Sequence, residues 1–322
     1  MRVLVTGVDG FVGSHMAEYL LGIAGVEVHG TIIPAGPGKN ISHIRSRLHI
    51  HEVDVVDADA VEKVFLGVTP DKVIHLAGQA FVPTSLLDPV GTFRVNIMGG
   101  VSVLEGARRQ REKGGAPPAV LLVSTGEVYG RHHPGPVTED TPLKPLNPYA
   151  VSKVSLDLIG QDYRRTFDLP VSVVRPFNHA GPRQSPTFVA SDFGQQFAAI
   201  AAGKMEPVIH AGNLDAVRDY TDVRDVVRAY WAILTHPSEH AVFNVCSGQV
   251  FAVRDLIALY QEITGLTVTV ATTAARARVN DIPFIAGSFA RLEAATGWRP
   301  GIALRQTLAD VYGYWQAELA SS

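Results

Sequence analysis

The sequence predicts an α/β protein: a doubly wound parallel sheet followed by a smaller, mixed α/β C-terminal region. Three observations predict it. β-rich runs alternate with helical patterns through the first half, a glycine turn follows the first strand directly, and the alternation weakens after Pro176. Strands that alternate with helices imply βαβ units, and hence parallel pairing with helices on both faces.

Strands are predicted over Arg2–Thr6, Glu27–Ile32, Leu48–Val53, Lys72–Leu76, Ala119–Ser124 and Val171–Arg175. Between the first two, Val12, Met16 and Leu20 recur at helical spacing, and Gly22 closes the helix. A single helix around Phe93–Leu104 carries the stripe Phe93, Ile97, Val101 and Leu104, with Val95, Met98 and Val103 widening it. A helix apolar on more than one side is buried on more than one side, by a wide core contact or by a second subunit. After Pro176 the pieces shorten: helices over Ser191–Ala202, Val223–Thr235, Val253–Thr264 and Leu304–Leu319, and small strands over Val242–Val245 and Thr267–Val270. The division expected is a domain over residues 1–176, to which later segments return, and a second over 177–322. No repeat, low-complexity tract or linker separates them, so they pack closely.

Composition narrows the classes. Of 322 residues, 46% are hydrophobic and 18% charged, which excludes disorder and allows a large core. With 28 Lys plus Arg against 31 Asp plus Glu, the net charge of −3 speaks against a nucleic-acid partner. The single cysteine, Cys246, rules out an intramolecular disulfide, fits a reducing compartment and reads as a small packed hydrophobe. No apolar run approaches the roughly 20 residues that cross a bilayer, and Met1–Gly7 reads as a strand entering a turn rather than a signal peptide. The expectation is a soluble, cytoplasmic protein with no membrane partner. His132-His133 lacks metal-ligand spacing, so no metal is expected there.

Two constellations carry chemistry. In Thr6-Gly7-Val8-Asp9-Gly10-Phe11-Val12-Gly13, the glycines let the backbone turn tightly and approach a pyrophosphate at the following helix N-terminus. Three glycines alone can be a plain turn; placed after the first strand of a βαβ series they point to a dinucleotide. The end of the second strand, Gly30-Thr31-Ile32-Ile33, offers neither an acid for a ribose hydroxyl nor a base for a 2′-phosphate. Arg45 or Arg47 could reach in from the next loop, and NAD and NADP both stay open. The second constellation is Tyr149-Ala150-Val151-Ser152-Lys153, whose Tyr and Lys share one helix face. An ammonium there would stabilise tyrosinate and bring the phenol into a usable range. Thr125 and Glu127 lie in the turn leaving the fifth strand, at the carboxyl end of the sheet, where Thr125 would present a hydroxyl near the substrate oxygen that Tyr149 protonates.

Together with His75-Leu76-Ala77-Gly78, these motifs resemble the extended short-chain dehydrogenase/reductases acting on nucleotide sugars. The stretches Arg175–Pro182, Thr187–Val189 and Gly212–Tyr220 resemble the branch of GDP-mannose 4,6-dehydratases and GDP-4-keto-6-deoxy-D-mannose reductases. A homodimer is expected, in which the apolar helix around Phe93–Leu104 and the helix Tyr149–Phe167 meet their symmetry mates. The resemblance covers nearly the whole chain and implies a Rossmann-like fold, NAD or NADP as cofactor and a GDP-sugar substrate. It implies catalytic roles for Thr125, Glu127, Tyr149 and Lys153. It implies cofactor contacts from Gly7, Gly10, Phe11, Val12, Gly13, Asp54, Val55, Ala77, Gly78 and Asn96, besides Tyr149 and Lys153. Asn178, Val189, Arg218, Arg278 and Asp281 would hold the GDP moiety. There are departures: Arg278–Ile282 lacks the family's proline, Gly126 stands where relatives more often carry serine, and Pro34-Ala35-Gly36-Pro37-Gly38 replaces the dehydratases' basic, serine-rich loop. The last favours NAD(P)H-dependent reduction of the C4 ketone of GDP-4-keto-6-deoxy-D-mannose to GDP-D-rhamnose. The alternatives are a GDP-mannose 4,6-dehydratase and, from another class, a non-catalytic nucleotide sensor.

Overall fold

The computed structural model describes residues 1–36, 38–131, 135–236, 238–273 and 282–320. The first six strands are β1 (Arg2–Thr6), β2 (Glu27–Ile32), β3 (His49–Glu52), β4 (Lys72–His75), β5 (Ala119–Val123) and β6 (Val171–Pro176). Between them lie α1 (Phe11–Leu21), α2 (Ala58–Val68), α3 (Val82–Leu87), α4 (Pro89–Phe93), α5 (Gly99–Glu112) and α6 (Pro148–Thr166). There follow β7 (Asn178–Ala180), α7 (Val189–Ala201), β8 (Val208–Ala211), β9 (Val217–Asp222), α8 (Val223–Thr235) and β10 (Val242–Val245). The chain ends with β11 (Val250–Ala252), α9 (Val253–Thr264), β12 (Thr269–Thr272), β13 (Phe284–Ile285), α10 (Ala290–Thr296) and α11 (Leu304–Ala320).

The six predicted strands all form, within a residue at either end, and α1 closes at Gly22. The central sheet has seven strands in the order β10-β6-β5-β4-β1-β2-β3, every pair parallel. Its inner strands are buried on both faces, as parallel sheets require, while the edge strand β3 is exposed or half-buried throughout. Val3 and Val5 of β1 join a cluster with Met16 and Leu20 of α1 and Val226 and Ile233 of α8. Leu4, facing the other way, joins Phe65 of α2, Leu104 of α5 and Leu156 of α6. Val242–Val245 is therefore the seventh strand of the large sheet, beside β6, and not a piece of the C-terminal region.

The helix predicted around Phe93–Leu104 is three segments: α4, a π-helical turn over Arg94–Met98, and α5. The wide turn rotates Asn96 into the interior, where it is buried, and leaves Met98 half exposed. Phe93, Ile97 and Val101 are only partly buried, while Leu104 of the same stripe and Val103 beside it are fully buried with Ala107. The C-terminal region packs α7, α9 and α11 around Phe193, Phe197, Tyr260 and Leu308. Its small sheets pair β9 with β7, β11 and β13, and β8 with β12. Cys246 is fully buried beside Tyr129 and Phe177, in the packed role expected of it. Among the described residues no helix is long and apolar enough to cross a membrane.

A buried ion pair ties α6 to the sheet. Arg175 Nε donates to Asp157 Oδ2 at 2.7 Å, and its Nη1 donates to the Tyr129 hydroxyl and the Glu139 carbonyl, each at 3.0 Å. The Tyr129 hydroxyl in turn donates to Asn244 Oδ1 of β10 at 2.6 Å. Removing one partner strands the other charge, so Asp157→Ala should lose about 3–5 kcal/mol, read as a lowered urea midpoint. A loss below about 1 kcal/mol, the range of an exposed pair, would contradict this account.

Candidate active site

The chain runs from β1 outward to β3 and then returns to β4 on the other side of β1. Beyond the carboxyl ends of strands flanking such a reversal, ligand crevices form. Here the ends of β1, β4, β5 and β6 open on a cleft of about 320 Å³.

One end is the glycine turn. Gly7 has φ +68°, and a Cβ on it would lie 2.9 Å from Ala77 Cα; one on Gly13 would lie 2.2 Å from the Gly7 carbonyl oxygen. Gly10 caps α1 without a side-chain hydrogen bond, and the first turn of the helix, Phe11 to Gly13, lines the cleft. Thr6 sets the neighbouring strand end: its Oγ1 accepts from the Leu76 and Ala77 N–H groups at 3.2 Å and lies 2.8 Å from His75 Nδ1. Burial pushes His75 down to about 3, so this imidazole is neutral. Gly78 turns toward Asn96, whose Oδ1 accepts from Gln79 N at 2.8 Å and whose Nδ2 donates to Gln79 O and Ser152 Oγ at 3.0 and 2.9 Å. The π-helical turn thus clamps the loop after β4 onto α6.

The middle of the cleft holds Thr125, Glu127, Tyr149 and Lys153. Asn147 caps α6 by accepting from Ala150 N at 2.8 Å, and its Nδ2 donates to Glu127 Oε2 at 3.1 Å. Burial raises Tyr149 well above the usual phenol range, the Glu127 charge adds to that, and the Thr125 hydroxyl hydrogen-bonded to it pulls the other way. Lys153 donates from Nζ to the Val123 carbonyl at 2.9 Å, and burial lowers it to about 8. The expectation that Lys153 brings the phenol down is therefore corrected. In this state its ammonium is spent on the strand end, while burial and Glu127 act on Tyr149.

The far end is built by the second half of the chain: Asn178, Val189 and Arg218 line it, all three expected. Asp219, next to Arg218, accepts from the Ser247 and Gly248 N–H groups at 2.8 and 2.9 Å, which anchors β9 to the loop after β10. Phe177 packs under the turn, and a Cβ on Gly126 would sit 3.1 Å from its ring.

Not every predicted residue lines the cleft. Gly7, Gly10, Phe11, Val12, Gly13 and Gly78 do; Ala77 and Asn96 stand behind it. Asp54 is exposed at the end of β3, accepting from Val56 N, and Val55 is buried against Gly99. Arg278 and Asp281, like His132-His133, lie outside the described residues. Of the two arginines weighed for the adenosine end, Arg47 donates to the Leu21 carbonyl at 3.2 Å, away from the cleft, and Arg45 points to Gly38. Tyr230 and Gln184 had not been singled out. Both line the cleft, and the Tyr230 hydroxyl and Gln184 Oε1 are buried without a hydrogen-bond partner. Such atoms mark where a ligand completes the bonding. The glycine cradle and these two atoms fit a nicotinamide dinucleotide lying along the floor.

A seven-stranded parallel sheet with a glycine cradle and a Thr, Tyr and Lys at its carboxyl edge defines a short-chain dehydrogenase/reductase of the extended type. Residues 4–311 match the family described as GDP-mannose 4,6 dehydratase, and the chain belongs to it. It is similar to the GDP-6-deoxy-D-mannose reductase of Pseudomonas aeruginosa, 33% identical over 320 residues that cover 99% of this chain and 98% of that one. The solved structure of RMD from the same organism complexed with NADPH superposes with a TM-score of 0.85 at 33% identity, covering 98% and 99% of the two chains. Thermus thermophilus UDP-glucose 4-epimerase, solved with NAD, gives a TM-score of 0.86 at 30% identity, covering 98% and 99%.

Burying the Lys153 ammonium costs stability. Its folded value of about 8 lies below the ordinary 10.5, so the penalty is full below pH 8 and fades as pH rises toward 10.5. Lys153→Met should therefore stabilise the ligand-free protein at pH 7 by about 1–3 kcal/mol, after the unpaired Val123 carbonyl is allowed for. Urea unfolding at pH 7 and again near pH 10 should find the gain at the first and most of it gone at the second.

Proposed function

We propose that this protein is an NAD(P)H-dependent reductase that converts the C4 ketone of GDP-4-keto-6-deoxy-D-mannose to the alcohol of GDP-D-rhamnose. The observation that carries the reading is Tyr149: a buried phenol held protonated, hydrogen-bonded to Thr125 and set in the cleft beside Lys153. The full-length likeness to a GDP-6-deoxy-D-mannose reductase supports the substrate.

A bound nicotinamide supplies the hydride. Thr125 orients the ketone oxygen, and Tyr149 gives it the proton. Lys153 leaves Val123 to grip the nicotinamide ribose, and its charge offsets the tyrosinate that forms. Gly7, Gly10, Phe11, Val12 and Gly13 receive the pyrophosphate, Asp54 and Val55 meet the adenine, and Ala77, Gly78 and Asn96 shape the path between. Asn178, Val189 and Arg218, with Arg278 and Asp281, hold the GDP moiety; a guanidinium suits a diphosphate because it offers paired donors. Residues 1–176, with α8 and β10, form the dinucleotide half, and most of 177–322 the sugar-nucleotide half. A cytoplasmic location accords with a soluble dinucleotide and a buried thiol at Cys246.

Glu127 favours a second reading. Its carboxylate acts on Tyr149 electrostatically and could take a C5 proton, as a 4,6-dehydratase needs. Product analysis separates the two. Given GDP-4-keto-6-deoxy-D-mannose, the enzyme should consume one NAD(P)H per turnover. Tyr149→Phe should lose at least ~100-fold while still binding cofactor, and Glu127→Gln should lose little. Conversion of GDP-mannose without added reductant, abolished by Glu127→Gln, would replace the reductase with the dehydratase.

A homodimer belongs to the same proposal. Leu87 and Val90 on α3 and α4 are 88% and 75% exposed, and Met98, Val151 and Leu158 leave large apolar surface beside them. Val151 and Leu158 are two turns apart on one face of α6, which suits packing against a copy of itself. Light scattering at micromolar concentration should give twice the chain mass, and Leu158→Lys with Val151→Lys should give the monomer.

A further inference from the structure

A second cluster of chemistry-bearing side chains lies at the opposite edge of the sheet. Glu27 and His29 alternate along β2, and His49 and His51 along β3, so each pair leaves one face of its strand. The parallel register sets His29 beside His49 and Thr31 beside His51, which puts all four on the same face. Glu27 and His49 open their strands, at the end away from the cleft, and none of the four lines it.

The geometry is that of a ligand set. Glu27 Oε1 lies 3.0 Å from His29 Nε2 and 3.4 Å from His49 Nε2, and the three atoms fall within 4.8 Å of one another. A tetrahedral ion with bonds of about 2.1 Å has ligand-to-ligand edges of about 3.4 Å. His29 is buried; its Nδ1 is held 3.1 Å from Nε2 of His51, whose ring lies nearly in the same plane, and the His49 ring lies over its face at 4.7 Å. A partner on the far ring nitrogen is what fixes the tautomer and direction of a metal-bound histidine. Glu27 and His49 are exposed, so an ion has an entry path and a position left for water.

We propose that Glu27, His29 and His49 bind a divalent first-row transition ion, zinc first, with His51 orienting His29. Two imidazoles and one carboxylate suit zinc, copper or nickel, whereas magnesium and calcium take oxygen ligands. The ion fastens the four-residue edge strand β3 to β2 and takes no part in the chemistry of the cleft.

Zinc titration of the untagged, metal-stripped chain by calorimetry tests this, with cobalt(II) visible absorption as a second readout. One ion per chain should bind, and the cobalt spectrum should be tetrahedral. His49→Ala and Glu27→Gln should each weaken binding at least ~10-fold, and His51→Phe, which removes no ligand, by ~10–100-fold. His240→Ala, at an exposed histidine elsewhere, should change nothing. The proposal falls if the wild-type chain takes up no stoichiometric zinc, or if His49→Ala and Glu27→Gln bind it as tightly as the wild type does.

Discussion

Arg175, at the end of β6, is 4% exposed and spends its guanidinium on three separate elements. A buried charge costs several kcal/mol unless it is paired and hydrogen-bonded; here Asp157, the Tyr129 hydroxyl and the Glu139 carbonyl take bonds from Nε and Nη1, and the ring of Tyr129 lies under the guanidinium at 5.2 Å. Tyr149, Lys153 and Asp157 are spaced four apart on α6, so fixing Asp157 fixes the face that carries the other two. Tyr129 closes the turn that begins at Thr125 and Glu127. One ion pair therefore fixes the α6 face that carries Tyr149 against the turn that carries Thr125.

Around that fixed point the cleft departs from the rules that stabilise the core. An ammonium is buried at Lys153, a hydroxyl and an amide oxygen lie unpaired at Tyr230 and Gln184, and α1 begins at a glycine that offers no side-chain cap. Each is a cost to stability concentrated in the cleft, the usual trade between stability and function. The resulting picture separates two kinds of buried charge: one satisfied within the fold, the other held ready.

The six leading strands, the glycine turn and the Tyr–Lys pair were legible because each is a local pattern, set by period or by immediate neighbours. What the sequence concealed depends on distant pairing. Val242–Val245 is four buried residues that would read alike in either sheet; only its register with Val173–Pro176 assigns it. The spacing of Phe93, Ile97, Val101 and Leu104 suits a regular helix, but with a single wide turn in it Asn96 is buried and the first three of these stay only partly so. Tyr230 falls among Val226, Val227, Ile233 and Leu234, so it reads as core, which its ring is; its hydroxyl becomes a cleft group only once α8 crosses the end of β6. The direction of the Lys153 ammonium was equally hidden, because the carbonyl that holds it lies 30 residues upstream.

The late arrival of β10 has a consequence for how the protein is made. When β6 has left the ribosome, its outer edge is unpaired and the sheet face beneath α8 is bare. Both wait for a segment about 70 residues further on, which at 5–20 residues per second is roughly 4–14 seconds of synthesis. For that interval the nascent chain presents an open strand and the apolar side chains Val3, Val5 and Val174 together, the combination that invites association with other chains. A gene fragment ending after β6 would make that interval permanent. The fold is thus one that a cell must finish before it can trust any part of it.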